Sequence, residues 1–98
     1  MKKIEEIKKI LAAHRKELRQ RFNVEQIAIF GSFARGDSTA LSDVDILVGL
    51  SKPMGWEIVD LHIFLQDLLG MKVDLVTRGA VTRKKILWQS IQEDLVNV

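Results

Sequence analysis

Two aspartates one residue apart, Asp43 and Asp45, open the apolar run Val44 to Val48, and a second apolar run, Val24 to Phe30, ends at Gly31-Ser32 shortly before them. This arrangement constrains the chain more than any other feature. Side chains alternate across a strand, so Asp43 and Asp45 leave one face about 7 Å apart along the chain. Like charges held in that way repel each other and do nothing for packing, which makes sense where a cation is shared. Divalent ions that act as a pair on an in-line phosphoryl transfer sit ~3.5 to 4 Å apart and need oxygen ligands converging from one surface. Asp74 lies in Lys72-Val73-Asp74-Leu75-Val76-Thr77, the other short apolar run that carries an acid. It would complete such a set from a neighbouring strand.

Gly31 and Ser32 end the first run where a tight turn can aim backbone N–H groups at an anion, and glycine permits close approach because it has no Cβ. Arg35 follows within one turn and offers a fork of donors to phosphate oxygens, and Gly36 frees the backbone to leave. Ser42 either caps a turn through its hydroxyl or orients Asp43, and spacing alone does not separate the two.

Other residues have blander explanations. Acids at i and i+2 are, taken alone, usually a solvated face; it is the Gly-Ser turn and Asp74 that favour a site. Asp37 reads as part of a solvated loop. His14 and His62 fall in helical patterns with no partner at metal-ligand spacing, and read as structural. Trp56 and Trp88 are expected to fill core or interface. Arg83-Lys84-Lys85 reads as a solvated helix start.

A chain of 98 residues implies one domain, spanning 1–98, that buries only about 60 to 65% of its unfolded surface. The formal net charge of +2 is too slight for a broad nucleic-acid or membrane surface. With no cysteine there is no disulfide framework or thiolate metal site, which fits a reducing cytoplasm. No apolar stretch approaches the length of a membrane span, and the N-terminus has no signal-peptide region. The expectation is a cytoplasmic protein.

Ile4, Ile7, Ile10, Leu11 and Leu18 predict one amphipathic helix over 2–22. Strands are expected at Val24 to Phe30, at Val44 to Val48 broken by Gly49, and at Val73 to Val76. A short helix is expected at Phe33 to Arg35 and a loop at Lys52-Pro53-Met54-Gly55. Trp56 to Leu69 predicts a helix stopped by Gly70. Thr82 is expected to cap a last helix through about Gln92, with Ile86, Leu87 and Ile91 inward, before a short edge strand within Leu95 to Val98. The fold class is small α/β, with a three- to four-stranded mixed sheet flanked by helices.

Gly31-Ser32, ten intervening residues and Asp43-Val44-Asp45, in the fuller form Gly-Ser-Phe-Ala-Arg-Gly ending in Ser-Asp-Val-Asp, resemble the minimal nucleotidyltransferase (MNT) domains of the DNA polymerase β-like superfamily. The likeness extends through Lys52 to Glu57 and Leu69 to Thr77, nearly the whole chain. It implies a nucleotidyltransferase fold and transfer of AMP from ATP to a hydroxyl, with two Mg²⁺ ions held by Asp43, Asp45 and Asp74. Gly31, Ser32, Arg35 and Ser42 would contact the nucleotide. It further implies an antitoxin that adenylylates a tyrosine on a HEPN-domain toxin partner, in a homo- or hetero-oligomer, with no direct nucleic-acid binding and no membrane. Two alternatives share the same residues: a non-catalytic module that inhibits its partner by occlusion, and an adenylyltransferase acting on a small molecule.

Overall fold

A computed structural model describes residues 2–98. The N-terminal apolar pattern forms two helices, α1 (Ile4–Ala13) and α2 (Arg15–Phe22), where one was expected. The break falls at His14, whose φ of −107° and ψ of 10° leave the helical region. Its Nδ1–H turns back to the Ile10 carbonyl at 2.8 Å, and its ring meets Phe64 edge-on with centroids 6.5 Å apart. His14 is thus structural, as expected. The bend lets α1 bury Ile7 and Leu11 while α2 buries Leu18 and Phe22. Asn23, in the left-handed conformation at φ 57°, ends α2.

The chain continues through β1 (Val24–Phe30), α3 (Gly31–Arg35), β2 (Val44–Leu50), α4 (Glu57–Leu69), β3 (Val73–Thr77), α5 (Arg78–Val81), α6 (Lys85–Asp94) and β4 (Val96–Asn97). The sheet order is β3-β2-β1-β4. β1 is antiparallel to β2 and β4, and β2 is parallel to β3, so the sheet is mixed and four-stranded, as expected. α4 supplies the crossover that a parallel pair requires. Gly49 does not break β2. The register shifts between Val24 and Gln26, and a Cβ on Gly49 would stand 3.0 Å from the Gln26 Cβ, so glycine lets the strands close up at a bulge.

Alternation along the strands makes two cores. Ile27, Ile29, Val44, Ile46, Val48 and Val73 pack with α1, α2 and α4. Ala28 and Leu47 pack on the opposite face with Val81 and Ile91, joined by Phe30, Val76, Trp88 and Leu95. This second layer is thinner, and the acids lie on its side of the sheet.

The C-terminal region differs from expectation. Thr82 does not start the last helix; Thr77 caps α5 by accepting from the Ala80 N–H at 3.4 Å, and Thr82 closes α5. α6 begins only at Lys85, after extended Lys84. Its inward stripe is Trp88, Ile91 and Leu95, at spacings of three and four, and this leaves Ile86 85% and Leu87 44% exposed. Trp56, expected in core or interface, precedes α4 and is 89% exposed. Among the described residues, no helix is long and apolar enough to cross a membrane.

Candidate active site

The register of the sheet assembles the site. Phe30 is paired with Asp45 in the antiparallel ladder and Asp45 with Asp74 in the parallel one, so three residues form a row across β1, β2 and β3 with their side chains on the α6 face. Asp43 lies one residue ahead of β2 rather than on it. It is exposed, and the Val44 N–H that follows is tied to the Lys72 carbonyl at 3.1 Å.

Asp45 is half-buried and its carboxyl is pushed up to about 6. Burial is the largest cause, followed by a hydrogen bond with Asp74, the charge of Asp74 and the charge of Asp43; Arg35 pulls in the opposite direction. Carboxylates paired across neighbouring strands repel when both are ionised, and a divalent cation between them would relieve that repulsion. Among the described residues, no three His, Cys, Asp or Glu side chains already form a metal cage. The three aspartates supply oxygen ligands, the donor type that Mg²⁺ takes.

Gly31 opens α3 at φ 73°. A Cβ there would overlap Oδ2 of Asp45 and stand 3.0 Å from its Cγ. Glycine is therefore required by the acid as well as by the backbone, a reason the sequence reading missed. The first N–H groups of α3 have no partner within the helix. The Ser32 carbonyl accepts from the N–H groups of Gly36 and Asp37, each at 3.0 Å, while its hydroxyl has no hydrogen-bond partner among the described residues.

Arg35 is engaged by protein. Its Nη1 donates to Asp94 Oδ2 at 2.9 Å and its Nε to Asp37 Oδ2 at 3.2 Å, and these two acids, Asp94 first, raise its pKa further. Asp37 is thus an ion-pair partner, not merely a loop residue. Asp94 was invisible from sequence because 59 residues separate it from Arg35. Ser42 closes a turn: its hydroxyl accepts from the Thr39 N–H at 2.9 Å and its N–H donates to the Thr39 carbonyl at 3.0 Å. A cleft of about 530 Å³ lined by Lys52, Pro53, Met54 and Arg83 opens at the other end of β2 and β3 from the acids.

Residues 11–97 match the family model described as a nucleotidyltransferase domain. The chain is 48% identical over its full length and the full length of a candidate protein adenylyltransferase of Methanocaldococcus jannaschii. It is also 47% identical, over 80% of each chain, to the protein adenylyltransferase MntA of Thermococcus cleftensis. Among solved structures it resembles a candidate minimal nucleotidyltransferase (TM-score 0.73, 24% identity, 94% of this chain and 95% of that one). A chain of a toxin–antitoxin pair solved with AMP-PNP has TM-score 0.66 and 26% identity, over 85% of this chain and 67% of that one. A chain from the complex of a tri-AMPylated Shewanella oneidensis HEPN toxin with MNT antitoxin shares the fold (TM-score 0.62, 22% identity, 93% of this chain and 70% of that one). With the paired acids and the Gly-Ser turn packed against them, the chain belongs to the nucleotidyltransferase domain family.

Proposed function

We propose that this chain is a magnesium-dependent protein adenylyltransferase that moves AMP from ATP onto a tyrosine hydroxyl of a HEPN-domain toxin and so acts as its antitoxin. The observation that carries the reading is the direct pairing of Asp45 with Asp74 across parallel strands, with Asp43 close enough for its charge to act on Asp45. The names of the adenylyltransferase relatives and the complexes formed by the structural neighbours support the acceptor class.

The acceptor oxygen would attack the α-phosphorus, the bond from that phosphorus to the bridging oxygen would break, and pyrophosphate would leave. Asp43, Asp45 and Asp74 are the residues that would hold magnesium; when bound, it neutralises triphosphate charge and makes the acceptor hydroxyl more acidic. Asp74, the exposed member of the pair, takes the hydroxyl proton. Gly31 and Ser32 offer backbone N–H groups and a free hydroxyl to the β- and γ-phosphates. Arg35 reaches the developing pyrophosphate charge by exchanging Asp94 or Asp37 for a phosphate oxygen. Ser42 acts through the turn that leads into Asp43. The setting is cytoplasmic.

Incubating the protein with ATP, Mg²⁺ and a HEPN-domain partner, followed by intact-mass analysis of the partner, tests the proposal. Gain of one or more AMP groups on tyrosine supports it. An unmodified partner that is nevertheless inhibited means that occlusion is the mechanism.

A further inference from the structure

β3 is an outer strand of the sheet, and just before Asp74 both outward peptide groups are held by side chains of α4. The Val44 N–H donates to the Lys72 carbonyl, so in this parallel ladder the peptide groups of Val73 point away from β2. The Val73 N–H donates to Oε1 of Gln66 at 3.1 Å, and the Val73 carbonyl accepts from Nε2–H of His62 at 2.5 Å. A carbonyl oxygen can only accept, so the proton must sit on Nε2 and the His62 tautomer is fixed when the ring is neutral. His62 and Gln66 are four residues apart and share one face of α4.

This grip is separate from the core function of α4, which is carried by Leu61, Leu65 and Leu69, all fully buried. It also does more than cover a strand edge, which water or a charged side chain would satisfy. The Asp74 side chain is exposed, and its partner across the parallel ladder is Asp45. Its location is therefore set by its backbone, and the peptide on its N-terminal side is the one held from both directions.

We infer that His62 and Gln66 are positioning residues for Asp74, fixing the backbone from which its carboxylate meets Asp45. The inference rests on the proposed role of Asp74 in transfer. Groups that orient a ligating or reacting side chain typically cost about 10- to 100-fold in activity when removed.

The test is steady-state AMP transfer to a HEPN-domain partner by Gln66→Leu, Gln66→Glu, His62→Gln and His62→Glu, with Asp74→Asn alongside and folding checked by circular dichroism. Gln66→Leu and His62→Glu should lose kcat about 10- to 100-fold with the KM for ATP unchanged. Gln66→Glu keeps an acceptor and His62→Gln keeps a donor, so both should recover most of the rate. His62→Gln and His62→Glu are nearly the same size, so this pair decides the matter even if Gln66→Leu does not fold. Equal kcat in the two, with Asp74→Asn inactive, overturns the inference and leaves the role of Asp74 standing. Full transfer by Asp74→Asn overturns that role and, with it, the purpose assigned to the clamp.

Discussion

Gly31 lies against the carboxyl of Asp45 so closely that any Cβ at position 31 would overlap Oδ2. The small-residue turn and the central acid are thus one unit. Gly31→Ala should destabilise the fold by about 1–3 kcal/mol, from the positive φ and from the displaced Asp45 side chain. It should also abolish transfer. Chemical denaturation and a transfer assay check both effects, and full activity in a folded Gly31→Ala protein would remove Gly31 from the site.

Asp45 gives a pH signature. Its folded pKa of about 6 lies above its ordinary value of 3.8, so the folded state holds the proton more tightly. The associated stability is fully present below about pH 4 and is lost as pH rises through about 6. The shift corresponds to at most about 3 kcal/mol, which screening at this half-exposed position reduces to about 1 kcal/mol. Asp45→Asn should therefore raise the melting temperature of the metal-free protein at pH 7.5 while eliminating transfer. Melts of both proteins between pH 4 and 8 would show the difference opening between about pH 4 and 6 and staying constant above that.

Arg35 opposes the rise at Asp45. Arg35→Ala should move the Asp45 carboxyl titration to higher pH, followed by NMR of the side-chain carbon. Asp94→Asn, which removes the shorter of the two ion pairs of Arg35, should change the position of that titration less, because the cation itself remains.

Much of this was legible in the sequence. Val24 to Phe30 is bounded correctly by its β-branched run and the following glycine, and the apolar run that carries Asp74 is a strand, as its pattern indicates. Adjacency of Asp45 and Asp74 was not legible, since periodicity assigns faces but not neighbours. His14 hid the break between α1 and α2 because the apolar spacing continues through it. Ile86 and Leu87 misled because the last helix starts two residues later than expected and turns Trp88 and Ile91 inward. The Val73 clamp and the Arg35–Asp94 pair join distant segments, which no local pattern reveals.

Magnesium with ATP should relieve the crowding of carboxylates and raise the melting temperature of wild type, by mass action on the folded state. The rise should largely disappear in the double variant Asp43→Asn, Asp45→Asn. A wild-type melt indifferent to saturating Mg²⁺-ATP would contradict a shared metal–nucleotide site.

The most direct measurement treats an active HEPN-domain toxin with wild type or with the double variant, each with Mg²⁺ and ATP, then separates the proteins and assays the toxin alone. The expected result is lasting loss of toxin activity after wild type, with AMP covalently on tyrosine, and full recovery after the double variant. Equal and lasting protection by the double variant, with no added mass, would contradict catalysis by Asp43 and Asp45.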